Sequence, residues 1–141
     1  MKLRLALTLA FAVSTLASAL TADGKHKLVL IAGKPSHPPG QHEFRAGSIL
    51  LEKCLKDVPG FVVDRHEMGW VKDESTFNDA DAVVIYADGG KGHPAVQGDH
   101  LAKLKALVDK GGGYGCMHYG GEGLADNGGT EVKQWIGGHD E

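Results

Sequence analysis

The chain has 141 residues, with 15 basic against 18 acidic side chains, a formal charge of −3, and 42% hydrophobic residues. Without a basic cluster this balance excludes nucleic acid as a partner. The 21 glycines gather at 89–92, 111–115, 120–123 and 137–138 without a period, which excludes a fibrous repeat.

Lys2 and Arg4 precede a mostly apolar run, Leu5 to Leu16, and then Ala17-Ser18-Ala19. This is the three-part pattern of a secretory signal with a small-x-small cleavage site. Residues 1–19 are therefore read as a signal peptide, with cleavage after Ala19 or as late as Ala22, and residues 23–141 as an exported domain, periplasmic or extracellular. Loss of the leader, which carries two basic and no acidic residues, leaves 13 basic against 18 acidic, a formal −5. No later apolar stretch is long enough to cross a bilayer, so no stable membrane insertion is expected after cleavage.

Leu28 to Ala32 is an unbroken apolar run ending at Gly33, as in a strand buried on both faces. Lys34 to Gly40 is a stiff loop, because its prolines forbid helix and hold the residues before them extended. A helix is predicted from Gln41 to Lys56, with a stripe of Phe44, Ser48, Leu51 and Leu55 widened by Leu50 and Cys54. Phe61 to Val63 gives a second strand, Asp73 to Asp79 a helical turn carrying Phe77, and Ala82 to Ala87 a third strand. Asp99 to Lys110 is a second helix with Leu101, Leu104, Leu107 and Val108 on one side, stopped by Gly111. Tyr114 to Met117 is a fourth strand, and Thr130 to Ile136 a short helix turning Val132, Trp135 and Ile136 inward. Cys54 and Cys116 read as two separately buried thiols.

This alternation predicts an α/β fold, a flavodoxin-like parallel sheet with helices on both faces. Ligands of such sheets sit beyond the carboxyl ends of the strands. Three loops reach that edge, bringing His37, His42 and Glu43, then Asp88, Lys91 and His93, then His118, Tyr119 and Glu122. His118 ranks first, because it stands on a tight strand-to-loop turn that lifts a side chain into the crevice, as a general base or a metal ligand. Asp88 or Glu122 would orient it or accept substrate hydroxyls, and His37 and His93 would bind substrate or ligate metal. Glu43 and His42 lie in the first helical turn, where an acid is also favoured by the helix dipole. Asp88-Gly89-Gly90 lets backbone N–H groups approach a ligand or forms a plain turn. No tight two-histidine zinc-enzyme spacing is present, so the metal ligands stay unassigned and a divalent metal is one possibility. His26, His66, His100 and His139 are read as surface or supporting residues.

Gly33-Lys34-Pro35-Ser36-His37 with His42-Glu43-Phe44, Ala82 to Gly90 with His93-Pro94, Gly115-Cys116-Met117-His118-Tyr119, and Trp135-Ile136-Gly137-Gly138 together resemble the trehalose-utilisation (ThuA-like) family. The resemblance implies a class I glutamine amidotransferase-like fold and a role in sugar metabolism, with keto-sugar or glycoside conversion. It places His118 where the related amidotransferases carry their nucleophilic cysteine, with Cys116 before that place, so glutamine hydrolysis is not expected. Glu122 falls where similar exported members often carry an acid. Family members continue beyond the Trp-Ile-Gly-Gly segment, so residues 23–141 read as the N-terminal part of such a domain, with an incomplete sheet. Two functions follow: an enzyme using acid–base or metal-assisted chemistry on a small carbohydrate, or a non-catalytic sugar-binding or accessory module.

Overall fold

The computed structural model describes residues 24–122 and 127–138. The expected signal peptide and cleavage site, the segment 123–126 and residues 139–141 lie outside the described residues. Four strands, β1 (His26–Ala32), β2 (Phe61–His66), β3 (Ala82–Tyr86) and β4 (Gly113–Met117), form one parallel sheet in the order β2-β1-β3-β4. Helices α1 (Phe44–Leu55), α2 (His100–Asp109) and α3 (Gly129–Ile136) flank it. This is the generic flavodoxin-like arrangement predicted from the alternation of elements.

The register pairs Ile31 with Ile85 and Ala32 with Tyr86, so β1 and β3 end level at the centre of the sheet. Strand periodicity sends alternate residues to opposite faces. On one face Val29, Ile31, Val83 and Ile85 pack with Val71, Phe77, Leu104 and Leu107, supplied by the β2–β3 connection and by α2. Trp135 of α3 joins this face through an edge contact with Tyr114, ring centroids 5.1 Å apart. On the other face α1 covers Leu30 and Ala32 with the buried Phe44 and Ser48. Each buried leucine or isoleucine contributes about 1.5–3 kcal/mol relative to exposure, so these two layers dominate the stability of the sheet.

Gly47 is fixed by this packing, since a Cβ there would collide with the Tyr86 ring. Tyr86 in turn meets Phe44 edge-on, with centroids 5.2 Å apart. A helix surface with glycine at that position lets α1 lie close against β3's outward tyrosine.

Several sequence expectations are corrected. The first helix starts at Phe44 rather than Gln41, because His42 adopts φ +50° and Glu43 is the N-cap rather than a first-turn residue. Leu50 is 62% exposed and Cys54 is also exposed, so neither widens the buried stripe and the thiols are not both buried. Burial pushes the half-buried Cys116 thiol up, which keeps it protonated. Ile136 is 40% exposed, whereas Val132 is buried, because α3 is short and only its Val132 and Trp135 side reaches the sheet. β2 runs three residues further than expected, as its polar end is neutralised by Arg65 with Glu52 and Glu67 and by His66 with Asp64.

Candidate metal centre

In a parallel sheet of this order the chain leaves β1 toward one edge and β3 toward the other, and the diverging loops open a crevice at their carboxyl ends. The two strands are clamped there by Gly33, whose N–H donates to the Tyr86 carbonyl at 2.8 Å. A Cβ on Gly33 would lie 2.8 Å from Ala87 Cβ, so glycine is needed for this approach.

The loop after β1 folds back on itself. Gln41 N–H donates to the Pro38 carbonyl at 3.1 Å, and Gly40 N–H donates to Glu43 Oε1 at 2.6 Å. Glu43 thus closes the loop with its carboxylate. The turn at His42 then sets its ring against that of His37, with centroids 3.7 Å apart and planes tilted by 37°. His42 Nδ1 lies 2.8 Å from Asp88 Oδ1, and His37 Nδ1 lies 3.9 Å from Asp88 Oδ2 and 2.9 Å from Ser36 Oγ.

Asp88 is held at this point by the loop after β3. Gly89 passes so close to the His118 turn that a Cβ would sit 2.5 Å from the Tyr119 and Glu122 carbonyl oxygens, and Gly90 N–H donates to the Glu122 carbonyl at 3.0 Å. The two glycines therefore join two loops of the protein to each other. The expected approach of their N–H groups to a ligand does not apply to Gly90, whose N–H is committed.

His118 follows β4 at φ +59°, a left-handed conformation that swings its ring over the crevice. Its centroid lies 4.4 Å from that of His42, and its Nε2 lies 3.7 Å from Asp88 Oδ1. Three histidines from two loops thus surround one carboxylate. Burial pushes the Asp88 carboxyl up, but contacts with Ser36 and His42 and the nearby charges of His42 and His37 together outweigh it and hold the group below its ordinary range. The carboxylate is ionised at neutral pH, as a cation site requires.

One donor atom each from His37, His42 and Asp88 lie within 4.8 Å of one another. Two imidazoles and one carboxylate suit zinc or a first-row transition ion better than calcium or magnesium, and such a set leaves coordination positions for solvent or substrate. A divalent metal, open in the sequence, therefore has a candidate site with His42 as a ligand.

The remaining predicted residues fall around this centre in different ways. Tyr119 is 52% exposed beside His118, ring centroids 4.3 Å apart. His93 is only 4% exposed and does not join the cluster. Its Nδ1 accepts from Ala95 N–H at 3.0 Å, and its Nε2 is buried without a well-formed hydrogen bond, close to Gly120. Burial lowers its pKa to about 4, against a smaller opposing effect of the Gly120 backbone, so the ring is neutral and props the His118 turn from below. Glu122 takes part through its backbone carbonyl, and its carboxylate makes no ion pair with the histidines among the described residues.

The loop after β2 also reaches this edge, a contribution absent from the sequence reading. Gly69 N–H donates to the Ala32 carbonyl at 2.9 Å, which lays Met68 and Trp70 beside the crevice. They join Lys34, Ser36, Asp88, Gln97 and His100 around a cavity of about 540 Å³. Met68 has φ +64°, and the three non-glycine residues with positive φ among the described residues, His42, Met68 and His118, each lie on a loop that follows a strand at this edge of the sheet. Each such conformation costs about 1–2 kcal/mol and concentrates at sites whose surroundings enforce it. Every strand of a parallel sheet delivers a loop to the same edge, and that rule would have identified 67–72 without any histidine in it.

No protein-family model, curated protein or solved structure matches the chain.

Proposed function

We propose that the crevice is a metal-assisted acid–base site acting on a small carbohydrate, in keeping with the sequence resemblance to the trehalose-utilisation family and its keto-sugar or glycoside chemistry. The observation that carries the reading is the close set of His37, His42 and Asp88 donors with His118 Nε2 3.7 Å from the same carboxylate. His37, His42 and Asp88 would hold the ion, which would supply Lewis-acid polarisation of a substrate oxygen. His118, outside the three-donor set, would hold or move the proton at the reacting atom, and its strained turn fixes where the ring stands. Tyr119 lies beside it to meet the substrate. His93 and Glu43 position these groups from the buried and loop sides. The leader-like segment 1–19 would place this chemistry in the periplasm or outside the cell.

The test uses untagged full-length product after secretion. Calorimetric titration with Zn²⁺, Co²⁺ and Mn²⁺ is compared among wild type, Asp88→Asn and His37→Ala. Tight binding at one site in wild type, weakened at least 100-fold in both variants, is the expected result. Equal affinity in all three proteins would refute the metal assignment. The metal-loaded protein is then assayed on keto-sugars and glycosides beside His118→Ala. Equal turnover by the two would remove His118 from the chemistry, and binding without turnover would assign a sugar-binding module.

A further inference from the structure

The geometry points to the 540 Å³ cavity beside Asp88 as the substrate-binding half of this site, built for a hydroxyl-rich ring compound of one or two rings and selected by His100 and Gln97. This deepens the proposed function and rests on it for Asp88 as the reactive end.

His100 is fixed in two ways. Its ring stacks on Trp70 with centroids 3.7 Å apart and planes within 3°. Its Nδ1 lies 2.7 Å from the Pro94 carbonyl oxygen. A carbonyl only accepts, so Nδ1 carries the proton and Nε2 of the neutral ring is an acceptor. That Nε2 has no partner among the described residues, on a residue that lines the cavity. Trp70 is anchored in turn by donating its Nε1–H to Glu74 Oε1 at 3.1 Å.

Gln97 reaches a similar state by a different route. Its side-chain nitrogen donates to the Lys91 carbonyl at 2.6 Å and the His93 carbonyl at 3.1 Å, which uses both N–H groups. Only its Oε1 is left to face a ligand, again as an acceptor. With the Asp88 carboxylate these make three acceptors around one space, while the Lys34 ammonium in its lining supplies donors. A ring bearing several hydroxyls satisfies such an arrangement, because each hydroxyl donates to one acceptor and can accept from a donor. Met68 and Pro94 give the cavity apolar wall for the carbon skeleton. The volume lies in the range of small-molecule sites, and pre-fixed acceptors lower the ordering cost of binding.

The experiment uses isotope-labelled full-length product and follows the indole Nε1–H of Trp70 and the imidazole nitrogens of His100 by NMR. A panel of neutral aldoses, ketoses, cyclitols and disaccharides is titrated, with cyclohexanol as the ring without the hydroxyl array. At least one sugar is expected to shift both residues saturably, and cyclohexanol to shift neither. His100→Leu and Gln97→Met should each weaken that sugar about fivefold or more, the factor expected for one hydrogen bond, with Zn²⁺ affinity unchanged. The wild-type shifts carry the test should either variant fail to fold. Absence of a response at Trp70 and His100 across the whole panel, or an equal response to cyclohexanol, overturns the inference. Repeating the titration with EDTA separates the two readings: sugar response without metal binding sinks the metal centre alone, and metal binding without sugar response sinks this inference alone.

Discussion

Replacing His118 by glycine and by alanine separates what its backbone costs from what its ring does. At φ +59° a residue with a Cβ sits in the left-handed region, about 1–2 kcal/mol above its right-handed conformation. Alanine inherits that strain, whereas glycine escapes it and loses about 0.5–1 kcal/mol to its freer unfolded chain. Both variants lose the same ring contacts with His42, Phe44 and Tyr119. His118→Gly should therefore exceed His118→Ala in stability by about 0.5–1 kcal/mol, or roughly 2–6 °C in Tm for a domain of this size. The assay is urea unfolding with m-values compared, so that a change in midpoint reports stability alone. Both variants should keep metal affinity and lose turnover by about 100-fold or more, the usual weight of a general acid or base. An alanine variant as stable as the glycine one would refute the claim that the turn is strained.

Asp88→Asn should, besides weakening metal binding, alter the acid limb of stability. Since the folded carboxyl titrates below its ordinary value, its contribution is present above about pH 4 and disappears as pH falls through the folded value, so wild type and variant should converge there in urea midpoints. His93 acts on a different window. With the native ring held near 4 and an unfolded histidine near 6.5, only the unfolded state takes up the proton between them, so stability falls as pH drops through that interval by up to about 1.4 kcal/mol per unit. His93→Leu should flatten that slope, as unfolding curves at stepped pH would show. Gly47→Ala should cost about 1–3 kcal/mol by driving a methyl into Tyr86, measurable by thermal unfolding, and an unchanged Tm would contradict the packing of α1 on the sheet.

Hydrophobic periodicity and turn residues were enough to determine the sheet and its helices. The run Leu28 to Ala32 ended in Gly33, and the leucines of α2 recurred at helical spacing, because local geometry repeats along the chain. The same reasoning identified the carboxyl edge as the place for a ligand and brought His37, His42, Asp88 and His118 to it. Helix starts and stripe positions were misjudged where tertiary structure intervened: the turn at His42 delayed α1, and the buried face of α1, set by Phe44 and Ser48, is too narrow to include Leu50.

Which of those edge residues meet, and in what state, was decided only in three dimensions. His93 and His100 are both histidines near the same edge, yet packing buries His93 under the His118 turn and stacks His100 on Trp70 beside the cavity. Their opposite placements depend on contacts between loops from different strands, which no local pattern encodes. In the sequence Gly33 ends the first apolar run and Gly89 either lets its N–H approach a ligand or forms a plain turn, and the fold uses both to bring separate loops within touching distance. The sequence by itself determined an α/β sheet with a polar carboxyl edge. Tertiary structure decided that His37, His42 and Asp88 share one point and that His100 lines the neighbouring cavity, because side-chain convergence is set by the packing of loops from different strands rather than by residue spacing along the chain.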